Sequence, residues 1–321
     1  MGVYHAGSRA LQDLAGVRER ADHVGRSLGQ GIKPVAAAFL ELQPLLVVGA
    51  ADPATGRVWA SPLTGAPGFV RATGPRQMSV VADTAHPFGR RLDGRPEGAR
   101  GTARPAGGDP HPNAPLATAL KTPGTHIGTI ALDPRTRRRM RLNGRLRPTG
   151  RGFAVEADQV FSNCPKYIQR RESYETVGDR TPGTPRRTDR LSSTEAEFVR
   201  AADTFFLATV HPGGTDVSHR GGNPGFVRVA SPRELTWPDY PGNAMFLTLG
   251  NLRTDPRAGL VFLDWTTGTV LQLTGEAHTE FGPDGERTVR FAVTEVLETA
   301  AALPLRWSAP EYSPANPSSS D

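Results

Sequence analysis

The sequence predicts a mainly β protein with short helices, built as two tandem antiparallel β-barrels, and two internal repeats carry that prediction. Residues 61–71 (SPLTGAPGFVR) and 218–228 (SHRGGNPGFVR) share one template, S-x-x-x-G-x-P-G-F-V-R. Residues 127–144 (IGTIALDPRTRRRMRLNG) lie over 258–275 (AGLVFLDWTTGTVLQLTG) without a gap, matching Gly128 with Gly259, Asp133 with Asp264, Leu142 with Leu273 and Gly144 with Gly275. Both blocks alternate apolar runs with turn residues, the pattern of strand, turn and strand, and strand upon strand with little helix argues closed or nearly closed barrels.

Each element follows from its local pattern. Leu11, Leu14 and Val17 fall at helical spacing within residues 8–29, which predicts one amphipathic helix serving as a packing arm. Phe39 and Leu40 lead into the apolar run 45–48, a turn at 52–56 and a second extended run over 57–71; Met78 opens a third short strand to Val81. Residues 83–115 are crowded with Gly, Pro, Arg and Asp and hold almost no large apolar side chain, so a mobile surface insertion is expected there. A short helix at 116–122 precedes the strand pair 126–133 and 139–145. In the second of these Met140 and Leu142 alternate with Arg139, Arg141 and Asn143, the period of a strand with one wet face. A strand at 153–160 reaches NCPKYIQRR (163–171), and the polar, proline-containing segment 172–190 suits a linker.

Beyond the linker the order recurs: a helix over 193–202 with Thr194 and Glu197 near its start, an apolar run 205–210, a turn at 211–214 and the extended SHRGGNPGFVRV. A helix is expected over 286–302, followed by a tail carrying Trp307 and Tyr312. The domains are then an N-terminal arm (1–35), a first barrel (36–172), a linker (173–192) and a second barrel with its C-terminal helix and tail (193–321).

Composition narrows the function. Lys and Arg number 38 against 32 Asp and Glu, for a net charge of +6, but lysine occurs only at positions 33, 121 and 166 and the chain is rich in Ala, Gly and Pro. The arginine excess therefore reads as compositional bias. The basic run 135–147 has no interleaved aromatics, so it reads as a solvated face and a nucleic-acid partner is not expected. No run approaches the roughly 18 apolar residues of a membrane helix, and the start lacks the apolar core of a secretory signal; a cytoplasmic location without membrane contact is expected. A single cysteine, Cys164, excludes an internal disulfide. Beside Lys166 it could be a reactive thiol, although a buried structural cysteine is the simpler reading. The eight histidines show no H-x-x-E-H or H-E-x-x-H spacing, so no metal site is expected.

The second half resembles the pyridoxamine 5′-phosphate oxidase-related FMN-binding split-barrel family. The residues that carry the resemblance are FFLATVHPGGTDVSHRGGNPGFV (205–227), MFLTLGNLRTDPRAGLVFLDW (245–265) and TVLQLTGEA (269–277); NCPKYIQRR and PLRWSAPEYSPANP (304–317) resemble a bacterial subgroup of that family. The resemblance implies two tandem split barrels, FMN as cofactor (with a deazaflavin or haem as alternatives), and a flavin-dependent oxidoreductase acting on an unidentified small molecule. A non-catalytic flavin- or haem-binding carrier or sensor is the alternative. Members of the family are typically homodimers with FMN in the interface, so a duplicated chain is expected to form that pair internally, with a further homodimer possible.

An FMN site must neutralise a phosphate dianion, supply N–H donors and let backbone approach a flat ring. Arg220 is the candidate for the charge and Gly221 for close approach; Ser218, Thr248 and Asn251 are candidate neutral donors, with Leu249 in the turn that the resemblance assigns to the flavin phosphate. The residues alone also allow SHRGG to be a β-bulge. His219, Asp239 and Tyr240 could reach a ligand as acid or base, although PDYPGN also reads as a plain turn; no catalytic residue is assigned. In the first copy Leu63 stands where the second has Arg220, which predicts a degenerate first barrel and one competent site per chain.

Overall fold

The computed structural model describes residues 3–81, 114–178 and 180–317; the expected insertion at 83–115 lies almost entirely outside the described residues. Helices α1 (Ala6–Leu14), α2 (Arg18–Gly25) and α3 (Pro34–Glu41) open the chain. Where the periodicity predicts one helix over 8–29, there are two. Gly16, with φ of 64°, ends α1 in a Schellman motif in which Gly16 N–H donates to the Asp13 carbonyl and Val17 N–H to that of Gln12. Phe39 and Leu40 are helical, in α3, which Pro34 starts at its first turn.

The first half continues as β1 (Leu45–Ala51), β2 (Val58–Thr64), β3 (Val70–Gly74), β4 (Gln77–Val81), α4 (Ala114–Ala117), β5 (His126–Asp133), β6 (Arg138–Thr149) and β7 (Gly152–Ser162). These strands form one antiparallel sheet in the order β2-β1-β5-β6-β7-β4-β3. The run expected to be extended over 57–71 is broken at 65–69, because β2 and β3 occupy opposite edges of the sheet.

Three short strands follow, β8 (Arg170–Arg171), β9 (Tyr174–Thr176) and β10 (Arg186–Thr188), then α5 (Ser193–Ala201), β11 (Thr204–His211), β12 (Gly214–Gly221), β13 (Arg228–Ser231), β14 (Glu234–Pro238), α6 (Leu247–Thr254), β15 (Arg257–Leu263), β16 (Val270–Phe281), β17 (Arg287–Thr299), β18 (Leu305–Trp307) and β19 (Pro310–Glu311). The capping box of α5 is formed by Ser192 and Glu195, one residue outside the expected helix start. The second sheet runs β12-β11-β15-β16-β17-β14-β13, the first sheet's order element for element. Within the segment read as a linker, β9 pairs with β18 and β10 with β17.

The helix expected over 286–302 is instead β17. Val289, Phe291 and Val293 alternate inward, and 288, 289, 293, 294 and 296 are all β-branched, which disfavours helix. The spacing of Val289, Val293, Val296 and Leu297 imitates a helical stripe, and only pairing along the whole of β16 decides between the two.

Strand alternation builds three cores. Leu46, Val48 and Ala50 point into the first barrel, and Phe205, Leu207 and Phe262 into the second. The residues between them, Leu45 and Val47 from β1 with Phe206, Ala208 and Val210 from β11, meet in a third core where the two sheets face each other. Strands apolar on both faces read as continuous apolar runs, as LLVVGA and FFLATV do. The matched glycines acquire a reason here. A Cβ on Gly128 would lie 2.8 Å from the backbone of Val217, and one on Gly259 would lie 2.5 Å from the Val58 carbonyl oxygen, so each half needs a bare backbone where the other approaches. Gly144 and Gly275 both sit at a register shift, where a Cβ would overlap the carbonyl of Glu156 or Ala292 on the neighbouring strand.

Candidate functional site

A cavity of about 350 Å³ lies between the two halves. Its floor comes from β6 and from the end of β12; the turn 163–167 and the segment 238–249 form its walls, and α2 contributes Arg20 and Val24. Its chemistry is cationic.

Two of the arginines come from β6, on the face that alternation assigned to water. That expectation is overturned: Arg141 and Asn143 are buried, and Arg139 is mostly so, because β6 packs this face against β12 of the other half. Arg141 Nη1 donates to Asp216 Oδ2 at 2.9 Å, Asn143 Nδ2 donates to Asp216 Oδ1 at 3.0 Å, and Thr248 Oγ1 donates to the same carboxylate at 3.2 Å. Arg139 has no carboxylate among the described residues. It donates to His219 Nδ1 at 2.7 Å and to the Cys164 carbonyl at 2.8 Å. Burial, and then the charges of Arg141 and Arg220, push its pKa down to about 9.

His219 follows from its partner. A guanidinium can only donate, so Nδ1 accepts and the ring proton resides on Nε2, which has no partner among the described residues. Burial, then the charges of Arg139, Arg141 and Arg220, hold the ring well below its ordinary pKa, in the neutral form. Arg220 and Arg287 share one carboxylate, Asp239, with Arg287 Nε at 2.9 Å. Six cationic side chains line the cavity, Arg20, Arg139, Arg141, Lys166, Arg220 and Arg287, against the carboxylates of Asp216 and Asp239, and among the described residues the Nε–H groups of Arg139, Arg141 and Arg220 have no partner.

The backbone is strained at the same place. Tyr167, Ala244 and Phe246 all line the cavity with φ of 65°, 62° and 52°, values that non-glycine residues adopt at a cost and that cluster at ligand sites. The Tyr167 and Tyr240 rings lie 5.1 Å apart at the cavity. Gly221 packs directly on the Tyr167 carbonyl, which a Cβ would overlap, so glycine here lets the first-half turn close over β12.

Of the residues picked out in the sequence, Arg220, Gly221, Thr248 and Leu249 line this cavity. Ser218 and Asn251 do not: Ser218 Oγ donates to the Leu207 carbonyl at 3.4 Å, and Asn251 Nδ2 donates to Thr209 Oγ1 at 2.9 Å while its Oδ1 lies 2.9 Å from His5 Nε2. The turn expected at Leu249 is helical, within α6. His219, Asp239 and Tyr240 all line the cavity, with Asp239 fixed between two arginines. Cys164, expected to be buried, is exposed on the cavity wall. Up to residue 317 the tail does not reach the lining; Asn316 instead donates to Gln169 and Asn223.

Arg139 and Arg141 were missed as site residues, although the repeat carries a signal for them. At their positions the second copy has Val270 and Gln272. Those two and Leu63 are buried, with Gln272 Nε2 donating to Ser61 Oγ at 2.6 Å, so the pseudo-equivalent place is filled by side chains. Among the described residues no group of His, Cys, Asp or Glu is placed to hold a metal, and no helix is long and apolar enough to cross a membrane.

Residues 191–317 match the family model for pyridoxamine 5′-phosphate oxidase. No curated protein matches the chain. Solved structures similar to part of it include a proposed pyridoxamine 5′-phosphate oxidase of Lactobacillus delbrueckii, 19% identical over 34% of this chain and 94% of its own, with a TM-score of 0.28. The HupZ protein of Group A Streptococcus (12%, 32% and 90%, TM-score 0.26) and the FAD binding protein of Mycobacterium smegmatis (13%, 36% and 97%, TM-score 0.26) are further examples. Each covers about a third of the chain.

Proposed function

From the match of residues 191–317 to the family model for pyridoxamine 5′-phosphate oxidase, we propose that the cavity holds one FMN and that the protein is a flavin-dependent oxidoreductase for a small molecule. The observation that carries the cofactor is Arg139, a guanidinium largely withdrawn from water with no carboxylate to neutralise it. Such a charge is costly unless an anion meets it. The excess of cationic over anionic side chains suits a phosphate dianion, and about 350 Å³ is at the small end of ligand pockets, suiting a mononucleotide.

In this reading the guanidiniums of Arg139, Arg141 and Arg220 hold the phosphate, and His219 lies beside them on the same lining. Tyr167 and Tyr240 offer ring faces, and α2 with the strained 244–246 segment limits water. The flavin, when bound, supplies the hydride or electron transfer. The first half contributes Arg139 and Arg141, taking the place that a second subunit would fill, and the shared strand order supports an origin by duplication. The tautomer that Arg139 imposes leaves His219 Nε2 protonated, so this histidine offers no lone pair to a haem iron.

The test is direct. The purified full chain is expected to carry or take up one FMN per chain, read by the visible flavin bands, and Arg220→Ala to weaken it about tenfold or more. Colourless protein that fails to take up added FMN refutes the cofactor. Reduction of the bound flavin by a nicotinamide or deazaflavin donor, with turnover, separates an enzyme from a carrier.

A further inference from the structure

Cys164 is the only cysteine in the chain, and it is exposed on the wall of the cationic cavity. Its backbone is fixed. Arg139 Nη2 donates to the Cys164 carbonyl at 2.8 Å, and two residues beyond Pro165 the left-handed Tyr167 anchors its hydroxyl on the Pro241 carbonyl at 3.0 Å. Lys166, exposed on the same wall, has no ion-pair partner among the described residues. Independently of the thiol, Arg141 and His219 line this cavity at 8% and 5% exposed, and each keeps an N–H without a partner among the described residues, which marks the cavity as a place for an anion.

We infer that Cys164 is a thiol–disulfide exchange site selective for anionic low-molecular-weight disulfides, and that its mixed disulfide and a ligand in the cavity exclude each other. The selectivity rests on the cation cluster alone, and the exclusion on the cavity being the ligand site proposed above. The Cys164 thiol gives its proton to solvent, and its sulfur attacks one sulfur of the disulfide. The S–S bond of the reagent breaks, the Cys164–S–S–R bond forms, and the departing thiolate takes up a proton; the protein thiol is oxidised and one half of the disulfide is reduced. Arg139 and Lys166 raise the local concentration of anionic reagents. With no second cysteine in the chain to resolve it, the adduct stays until an external thiol reverses it.

The test uses the full chain and two reagents, dithiobis(nitrobenzoate), which carries two carboxylates, and the neutral dithiodipyridine. The ratio of their rates is expected to exceed that of a free cysteine derivative by about tenfold at low salt. It should fall towards the free value as salt screens the cluster, and fall several-fold in Lys166→Ala. Saturating FMN, its binding verified by absorbance, is expected to slow the anionic reagent about tenfold or more. Oxidised glutathione should give a single adduct by mass, lost in Cys164→Ser. A ratio equal to that of the free thiol overturns the site, and full reactivity with FMN bound overturns the exclusion. Should FMN not bind, inorganic pyrophosphate takes its place as the occupying anion: a raised, salt-sensitive ratio with protection sustains the thiol site while the flavin reading falls, and absence of protection overturns the exclusion.

Discussion

Replacing Arg139 by methionine is expected to cost the ligand-free protein little stability while removing most of its affinity for the phosphate. A guanidinium held at about 9 is one that the folded state would rather see neutral. Its native pKa lies below its unfolded value, so the penalty for its charge is fully present at neutral pH and fades only as pH rises above 9. For a wholly buried group the penalty would approach 5 kcal/mol, and the partial exposure of Arg139 brings it to about 2–4 kcal/mol. Against that gain stand two lost hydrogen bonds, to His219 Nδ1 and the Cys164 carbonyl, worth about 1.5–3 kcal/mol each for a charged donor. The central values of the two terms leave a net loss of about 1–2 kcal/mol for Arg139→Met relative to the parent. Arg141, two residues along the same strand, is likewise held below its ordinary pKa by burial, but it neutralises a buried carboxylate. Arg141→Met strips the buried Asp216 of its cation, leaving only Asn143 and Thr248 as donors, and should cost about 3–5 kcal/mol. Urea denaturation of the three ligand-free proteins measures the difference, and FMN titration measures affinity, which should fall about 10- to 100-fold for Arg139→Met. Equal destabilisation by the two variants, or unchanged FMN affinity in Arg139→Met, would refute the reading of Arg139 as an unpaired cation awaiting an anion.

Two other outcomes test neighbouring parts of the structure. Burial, then the charges of His5 and His126, lowers His211 to about 4, opposed only by Asp216, while its ring stacks on His5 at 4.4 Å. Because the native pKa lies below the unfolded one, stability is complete above about pH 6.5 and declines as pH falls towards 4, by about 1–3 kcal/mol. Denaturation curves across that window should be flatter for His211→Gln than for the parent; identical slopes would remove the histidine stack from the account of how the N-terminal helices are held. Leu63→Arg puts a charge at the fully buried position equivalent to Arg220. It should destabilise the protein by several kcal/mol and leave FMN at one per chain, whereas a second bound FMN would show that the first barrel retains a latent site.

How much was legible varied with the range of the interaction. The strands were legible because alternation and turn chemistry are local: β5 and β11 fall within a residue of their expected ends, and β1 starts where expected and runs three residues further. β17 was misread because its apolar residues satisfy a period of two and a helical stripe alike, and the pairing that decides between them comes from β16. Within the site, Arg220, Gly221, Thr248 and Leu249 were legible from the resemblance in the second half. Ser218 and Asn251 satisfy their hydrogen bonds elsewhere, and nothing local distinguishes a donor facing a ligand from one facing a neighbouring strand.

The sequence by itself determined that there are two β units with matched glycines, that only the second copy has an arginine in the SHRGG position, and that one cysteine stands beside Lys166. Tertiary structure alone decided that the units face one another across Gly128 and Gly259 and that β6 turns Arg139 and Arg141 towards β12 rather than towards water. The physical reason is that alternation along a strand separates two faces without stating what covers either one. Desolvation of those arginines, and the demand for an anion that it creates, arises only when the two sheets meet.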